Sequence, residues 1–223
     1  VLATRSEFES RLRLQDGEDF GGAGCQMLAA LRLTSQVAAS GTLLVEVAEG
    51  ESPLADMRAW DPEQLYTEVL QPLLYLRQGA RSDLAVGVEI EPDLPHIHAD
   101  RAAFFRAASN IIHNAFKFTD EGGVKIFIHR MENGVSFSVS DTGIGIPEDD
   151  IPDLGKLHRR AANASGFPGT GLGIWTAKLL VEAMGGHLVI RSSAGLGTTV
   201  QLIFPPVVLP VDVEGGCCPG NRR

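Results

Sequence analysis

A chain of 223 residues, of which 44% are hydrophobic and 21% charged, can bury one sizeable core plus a smaller appendage. Its formal net charge of −9 argues against a nucleic-acid partner, which would require a basic footprint. Its longest apolar runs fall far short of the roughly 18 residues that a membrane-spanning helix needs, so no span is expected.

Three parts are predicted along the chain. Residues 1–58 contain apolar residues at roughly helical spacing, interrupted by glycine, and predict a helical segment. Residues 59–208 carry the patterns of a folded domain. Residues 209–223, in which Cys217 and Cys218 lack metal-ligand spacing, predict a flexible tail with incidental thiols.

The middle part alternates between strand-like and helix-like patterns. The predicted helices are about 61–78, 100–117 and 171–184, and the predicted strands are 84–90, 124–128, 135–140, 187–191 and 199–204. We therefore predict an α+β fold: a two-layer α/β sandwich whose mixed, mostly antiparallel sheet of about five strands is covered on one face by three helices.

Two amides and an ammonium share one face of the second predicted helix. Asn110, Asn114 and Lys117 are four and three residues apart, so they fall within roughly 60° of one another. An amide oxygen is a hard ligand suited to Mg²⁺, which takes further ligands from substrate phosphates, and a lysine supplies charge for those phosphates. Solvated helix faces carry such residues too, so the segments that follow decide the interpretation.

A carboxylate ends the strand predicted at 135–140. Asp141 leads directly into Gly143 and Gly145. A carboxylate there can accept a hydrogen bond from an exocyclic amine, and glycines let the backbone approach a flat ring. The alternative is an ordinary Asp-Thr-Gly turn, which leaves the second glycine unexplained.

A basic loop and a glycine-rich loop come before the third predicted helix. Residues 147–169 are rich in Pro and Gly, predict a movable loop, and include Lys156, Arg159 and Arg160. The segment from Gly169 to Gly173 then opens onto the helix, where free N–H groups and the helix dipole favour phosphate, although such loops also serve as entry turns. Taken together, the segments predict a nucleotide-binding site.

These segments, with a last Gly-Leu-Gly-Thr hairpin at 195–198, resemble in order the catalytic ATP-binding domain of sensor histidine kinases. That domain belongs to a superfamily with DNA gyrase, mismatch-repair and heat-shock chaperone ATPases. The resemblance covers roughly Trp60 to Pro205 and implies ATP and Mg²⁺ as cofactors.

The resemblance also implies a role for each motif residue. Asn114 would coordinate Mg²⁺, with Asn110 one turn earlier, and Lys117 would contact phosphate. Asp141 would hold the adenine amine with Thr198 beside it. The glycines that pass under the base and the loop residues that close on the phosphates would be Gly143, Gly145, Gly169, Thr170, Gly171, Leu172 and Gly173.

The lid of the family carries an arginine that reaches the terminal phosphate, and Arg159 occupies the equivalent position here. Leu154 and Leu157 replace the two phenylalanines of the same box. The resemblance therefore implies that apolar lid packing is kept, whereas the aromatic contacts are lost.

The residue at position 110 bears on whether the domain transfers the phosphoryl group or hydrolyses ATP. Hydrolytic members of the superfamily have a Glu four residues before the metal-binding Asn, where it acts as general base on water. An amide cannot accept that proton, so the resemblance implies transfer to another nucleophile.

The family's phosphoacceptor is a histidine on a helix before the ATP domain. Residues 1–58 contain no His, and we interpret the six histidines of the chain as structural or surface residues: His96, His98, His113, His129, His158 and His187. The acceptor would then act in trans or lie outside the chain. A non-catalytic ATP-responsive module and a Ser-directed protein kinase of the same fold stay open.

The resemblance also implies partners and a location. We expect a homodimer formed through the N-terminal helical segment, and a response regulator protein as partner. The expected location is the cytoplasm, or an organelle such as the stroma in a plant or alga, with membrane attachment through other parts of the protein.

Overall fold

The structure, a computed structural model, describes residues 52–81 and 83–207. Most of the predicted N-terminal helical segment and the whole predicted tail lie outside the described residues. In chain order the elements are β1 (Met57–Trp60), α1 (Pro62–Leu65), a π-helical turn (Tyr66–Leu70), α2 (Gln71–Ala80), β2 (Ala85–Ile90), β3 (Ile97–Asp100), α3 (Arg101–Lys117), β4 (Gly123–Met131), β5 (Gly134–Asp141), two 3₁₀ turns (Glu148–Asp153 and Ala162–Ala164), α4 (Gly173–Ala183), β6 (His187–Ser193) and β7 (Gly197–Phe204).

The main sheet has five strands in the order β2-β4-β5-β7-β6. β2 pairs with β4 in parallel, and the other neighbours are antiparallel. The predicted α+β sandwich with a mixed, mostly antiparallel sheet is confirmed. None of the helices within the described residues is both long enough and apolar enough to cross a bilayer.

The core lies between the sheet and the helices. Phe104 of α3 contacts Phe137 of β5 edge to face, with ring centroids 5.0 Å apart, and Phe204 of β7 at 5.9 Å. Every third or fourth residue of α3 faces this core, which is why the polar residues near its C-terminal end share the remaining face.

A second, two-stranded sheet differs from the prediction. None of the strands predicted from the sequence covers Ile97–Asp100, which forms β3 and pairs antiparallel with β1. Ile97 and Ala99 are fully buried. A four-residue strand is too short for its alternation to stand out in the sequence.

β5 is buried more completely than its alternating pattern predicts. Ser136 and Ser138 face away from the helices, yet they are as buried as the apolar residues that alternate with them. Their hydroxyl oxygens are 3.0 Å apart, and Gln201 Nε2 donates to Ser138 Oγ at 3.2 Å. β5 is the central strand of the sheet, so it has a neighbouring strand on each side. Its short serine side chains lie beside longer ones on those strands, such as Phe127, which pairs with Ser138.

Asp100 joins the start of α3 to the chain before β1. It is buried, its Oδ1 accepts the N–H of Ala103 at 2.9 Å, and its Oδ2 accepts those of Ala55 and Asp56 at 2.8 and 2.7 Å. Burial raises the pKa of Asp100, but these backbone hydrogen bonds outweigh it and hold the pKa below its ordinary value.

We expect Asp100→Ala to lower the free energy of unfolding by about 3 kcal/mol, because it removes a helix cap and leaves buried N–H donors unpaired. Since the folded pKa lies below the unfolded one, this stabilisation is complete above the unfolded pKa and is lost as pH falls through the folded pKa. Urea denaturation at several pH values measures both effects.

Asp61→Ala is the matched control. Asp61 also caps a helix, but it is exposed and accepts a single N–H, that of Glu63 at 2.8 Å. A loss as large for Asp61→Ala as for Asp100→Ala would contradict the role given to burial and to the two bonds that reach Ala55 and Asp56.

Candidate functional site

Four segments meet at one end of the main sheet. β5 ends at Asp141, which pairs with Thr198 at the start of β7. Phe118, the residue after α3, accepts the N–H of Ile144 at 3.0 Å, so the end of the helix is joined to the segment after β5. The loop before α4 lies against the polar face of α3, where Gly169 is next to Lys117 and Gly173 is next to Asn114. The topology thus brings together motifs that are far apart in the sequence.

The Asp141 carboxylate is held by two backbone donors. Its Oδ1 accepts the N–H of Gly143 at 2.9 Å and that of Thr198 at 3.1 Å. Burial raises the pKa of Asp141, and these two hydrogen bonds oppose the rise. Both described bonds use the same oxygen, so Oδ2 is available to accept a hydrogen bond from a ligand.

Gly143 and Gly145 are required by backbone packing. A Cβ atom on Gly143 would lie 2.1 Å from the carbonyl oxygen of Phe118, and one on Gly145 would lie 2.0 Å from that of Ser193. Gly145 also has φ of 62°, in the left-handed region. The glycines therefore let the segment after β5 lie directly against two neighbouring chains, which explains the second glycine that an ordinary turn leaves unexplained.

Ser192 is a polar centre of this site that the sequence did not indicate. Its hydroxyl donates to the carbonyl of Gly197 at 2.8 Å, accepts the N–H of Ile146 at 2.9 Å, and lies 2.8 Å from the hydroxyl of Thr198. A lone serine in a strand gives no signal by itself. It becomes recognisable once the register of β6 and β7 places it opposite Thr198.

The two asparagines lie beside the start of α4. A Cβ atom on Gly173, the first residue of α4, would lie 3.6 Å from Asn114 Nδ2 and 3.7 Å from Asn110 Oδ1. The residue at the N-cap position is Leu172, which provides no side-chain acceptor for the first N–H groups. An uncapped helix N-terminus next to two amides is suited to bind an anion and its counterion.

Lys117 lies next to the glycine-rich loop. A Cβ atom on Gly169 would be 2.8 Å from Lys117 Nζ, and the same nitrogen is 4.4 Å from the ring centroid of Phe118. Burial lowers the pKa of Lys117, and the positive charge of Arg160 lowers it further. A bound anion would relieve the repulsion between these two cations.

The rest of the loop is exposed except at its end. The carbonyl oxygen of Thr170 lies 3.4 Å from Nδ1 of His158 in the lid. Gly171 has φ of 74°, in the left-handed region. Leu172 is buried. The structure thus brings the loop from Gly169 to Gly173 against α3 and against the preceding lid segment.

The lid has an aromatic contact that the sequence did not predict. Phe167 packs edge to face on Phe118, with ring centroids 5.0 Å apart. Asn163 Nδ2 also donates to the carbonyl of Gly145 at 2.9 Å. Leu157, by contrast, is 44% exposed. The expectation that the lid keeps its apolar packing therefore fails at this position. A phenylalanine at a different place in the loop supplies the aromatic contact.

The two arginines of the lid have different partners. Arg159 Nη2 lies 3.6 Å from Asp153 Oδ2, and its side chain is exposed. Arg160 Nη2 donates to the carbonyl oxygens of Ala164 and Phe167. The contact of Arg159 with a terminal phosphate stays a prediction.

Comparison with known families now gives the site a context. Residues 99–208 match the family described as histidine kinase-, DNA gyrase B- and HSP90-like ATPase. This part of the chain is an ATP-binding domain of that family. All the motif residues discussed above lie within the matched range.

Curated relatives of this ATP-binding domain include histidine kinases. Histidine protein kinase DivJ of Caulobacter vibrioides is 36% identical over 137 residues, which cover 59% of this chain and 23% of that protein. Virulence sensor protein BvgS of Bordetella bronchiseptica is 48% identical over 101 residues, which cover 42% of this chain and 8% of that protein. The chain therefore spans less than a quarter of either relative. The expected family, the catalytic ATP-binding domain of sensor histidine kinases, is confirmed.

Solved structures share the fold of this ATP-binding domain. The mycobacterial sensor histidine kinase MprB is matched with a TM-score of 0.57 at 24% identity, over 69% of this chain and 98% of that one. Full-length ShkA in complex with AMPPNP is matched with a TM-score of 0.63 at 24% identity, over 89% of this chain and 42% of that one. At these identities the likeness shows the fold alone.

The residues of the ATP-binding domain fit a magnesium ion that is shared with phosphates. Within residues 52–81 and 83–207, no group of three or more His, Cys, Asp and Glu could hold a metal ion by itself. Mg²⁺ bound to a nucleotide needs few protein ligands, because phosphate and water oxygens supply the others. The amide of Asn114, beside the start of α4, is suited to be such a ligand.

Proposed function

We propose that this chain binds ATP with Mg²⁺ and transfers its terminal phosphoryl group to a histidine, as the catalytic domain of a two-component sensor histidine kinase. The histidine would lie in trans or outside the chain, since residues 1–58 contain none. The observation that carries the proposal is the half-buried Asp141 carboxylate, with one oxygen available to a ligand, at one end of a site whose other end is cationic.

The base would bind at the Asp141 end. The carboxylate can accept a hydrogen bond from the exocyclic amine of adenine. Guanine presents a carbonyl oxygen where adenine has that amine, and two acceptors repel each other. Thr198 and Ser192 add hydroxyl groups beside the carboxylate. This end of the site thus favours adenine over guanine.

The phosphates would bind between α3 and the start of α4. Lys117 supplies a charge, and the uncapped N-terminus of α4 supplies N–H groups. Asn114 would hold Mg²⁺, with Asn110 beside it. The bound ion would neutralise charge on the phosphates.

Transfer is favoured over hydrolysis because of Asn110. Its amide, like that of Asn114, lies beside the first residue of α4, and in the hydrolytic members of the superfamily this position holds the Glu that acts as general base. An amide cannot accept a proton from water at neutral pH, so the domain positions the phosphoryl group for a nucleophile that brings its own reactivity.

The proposal extends to partners and location. The N-terminal segment would form a homodimer, a response regulator would receive the phosphoryl group, and the domain would work in the cytoplasm. The support for these parts is the class of the relatives, whose names describe histidine kinases.

A non-catalytic ATP-responsive module is the second candidate. Leu157, where the resemblance expects a packed phenylalanine, is 44% exposed, and residues 1–58 contain no acceptor histidine. Such a module would bind ATP and change its lid without forming a phosphoprotein. A Ser-directed kinase of the same fold would form an acid-stable phosphoester.

Nucleotide selectivity tests the binding part. We expect the chain to bind ATP with Mg²⁺ in the micromolar range by calorimetry, and GTP at least about tenfold more weakly, because the half-buried acceptor of Asp141 would face the guanine carbonyl. Equal affinity for both nucleotides would contradict the role of Asp141, and no binding of either would contradict the whole proposal.

The phosphorylated product tests the transfer part. The chain is incubated with γ-labelled ATP and histidine-bearing helical domains of its relatives. An acid-labile, alkali-stable label on a partner supports the histidine kinase, and an acid-stable label supports a Ser-directed kinase. ATP binding without any label supports the ATP-responsive module.

A further inference from the structure

An arginine from a distant part of the sequence holds the C-terminal end of α3. Arg81 follows α2, and its guanidinium donates to three backbone carbonyls at the end of α3 and in the turn after it. Nη1 donates to the carbonyl of Phe116 at 3.4 Å, and Nη2 donates to those of Thr119 and Asp120 at 3.1 and 3.0 Å. A cation at this position both caps the helix and interacts favourably with its dipole.

The carboxylate of Asp83 fixes the orientation of this guanidinium. Nε of Arg81 donates to Oδ1 of Asp83 at 3.1 Å, and Nη2 donates to Oδ2 at 2.9 Å. These hydrogen bonds raise the pKa of Arg81 and lower that of Asp83, so both groups stay charged. The two-point contact makes the connection between α2 and β2 one unit with the end of α3.

Arg81 supplies donors that the helix itself lacks. The last carbonyls of a helix have no partner within the helix. Among those of α3, the carbonyl of Asn114 accepts the N–H of Phe118 at 3.0 Å, and that of Ala115 accepts the buried hydroxyl of Thr119 at 2.7 Å. The next carbonyl, that of Phe116, is the one that Arg81 reaches. Arg81 therefore continues the capping from the last turn of α3 into the turn before β4.

The turn that Arg81 holds carries the residues proposed for the phosphates. Lys117 follows Phe116 directly, and a Cβ atom on Gly169 would lie 2.8 Å from its Nζ. Asn114 lies in the same turn, and a Cβ atom on Gly173 would lie 3.6 Å from its Nδ2. At such short distances a displacement of about 1 Å matters, since misplacing a positioning group by that much can cost about 100-fold.

We propose that Arg81 is a positioning residue for the phosphate end of the nucleotide site. By holding the last turn of α3, it sets where Lys117 and Asn114 lie relative to the glycine-rich loop and the start of α4. All its described hydrogen bonds go to backbone carbonyls or to Asp83, so it acts through these residues and not on the nucleotide. The inference rests on the proposed function, and it adds a residue outside the matched range 99–208.

Paired affinities for a ligand with phosphates and one without them test this inference. Calorimetry measures binding of ATP with Mg²⁺ and of adenosine to the whole chain. We expect Arg81→Gln to lower the affinity for ATP about fivefold to twentyfold and that for adenosine less than about twofold, because only the phosphates meet the displaced end of α3. Arg81→Lys keeps the charge but loses the planar fork, so its loss of ATP affinity should be smaller and equally selective.

A double-mutant cycle shows whether Arg81 acts through Lys117. Once Lys117→Gln has removed the ammonium, the further loss of ATP affinity caused by Arg81→Gln should be less than about threefold, because residues that act through one another are not additive. A further loss as large as in the wild-type background would contradict the positioning role.

An ion pair at the other end of α3 provides the matched control. Arg101, the first residue of α3, binds Glu68 with Nε 3.1 Å from Oε2. Arg101→Gln should leave both affinities unchanged. Thermal unfolding of each variant establishes the temperature range in which binding is measured on folded chains, and Arg81→Lys carries the same comparison if Arg81→Gln does not fold.

The remaining outcomes separate the inference from the proposed function. Unchanged ATP affinity in folded Arg81→Gln, or equal losses for ATP and adenosine, would overturn the inference and leave the proposed function intact. A wild-type chain that binds neither ATP nor adenosine would overturn both.

Discussion

Replacing Asp141 by Asn is expected to weaken ATP binding by about 30- to 100-fold, which corresponds to about 2–3 kcal/mol for a hydrogen bond to a charged group. The Asn oxygen can still accept the N–H groups of Gly143 and Thr198, as Oδ1 of Asp141 does. The side-chain NH₂ then points where Oδ2 was, and it faces the adenine amine donor to donor. Calorimetry with ATP and Mg²⁺ measures the loss.

The fold should tolerate this change. Burial raises the pKa of Asp141, so its ionised form is less favourable in the folded chain than in water, and a neutral amide removes that cost. Asp61→Asn, which changes the exposed carboxylate that caps α1, is the control and should leave ATP affinity as it was. Unchanged ATP affinity in Asp141→Asn would contradict the assignment of the adenine site.

The same raised pKa gives the affinity a pH dependence. ATP binding requires the carboxylate form of Asp141, and a raised pKa means that protonation of the free site begins at a higher pH than for an ordinary Asp. The ratio of wild-type to Asp141→Asn affinity should therefore fall as pH is lowered through that pKa. Titration of the nucleotide itself cancels in the ratio.

Replacing Asn114 by Ala is expected to reduce Mg²⁺-dependent ATP binding by at least about 30-fold, because even outer-shell changes around bound metals typically cost 10–100-fold. Asn114 lies beside the N-terminus of α4, and the described residues offer no carboxylate or histidine cluster that could replace it. Calorimetry with Mg²⁺ and with EDTA separates the metal-dependent part of the affinity.

Two comparisons make this second prediction specific. In EDTA, wild type and Asn114→Ala should bind ATP with the same affinity, because Asn114 would act on ATP only through the bound Mg²⁺. Asn114→Asp keeps an oxygen ligand at the same place and should retain binding in Mg²⁺. A loss in Asn114→Ala that persists in EDTA would mean that the residue acts on the nucleotide or the fold directly.

Much of the fold could be predicted because its signals are local. The helix from Arg101 to Lys117 and the strand from Gly134 to Asp141 are long enough for their apolar periods to stand out. β1 and β3 are only four residues each, and their pairing joins segments about 40 residues apart. The burial of Ser136 and Ser138 could not be read from the pattern either, because it depends on which strands lie beside β5.

For the glycines of the site, too, part of the explanation lies in the local sequence and part only in the folded structure. The sequence indicated that Gly143 and Gly145 matter, and it suggested that a ring passes close to them. The structure adds a reason that no local pattern contains: the carbonyls of Phe118 and Ser193 occupy the space where their Cβ atoms would lie. Both neighbours come from other elements, so the constraint exists only in the folded chain.

By itself, the sequence determined the family, the order of the motifs, and the shared face of Asn110, Asn114 and Lys117, since helical spacing and short motifs are properties of neighbouring residues. Only the tertiary structure decided that Ser192 meets Thr198, that Phe167 of the lid packs on Phe118, and that the charge of Arg160 lowers the pKa of Lys117. These contacts depend on strand register and on the path of the lid, because pairing and loop closure bring together residues whose separation along the chain carries no periodic signal.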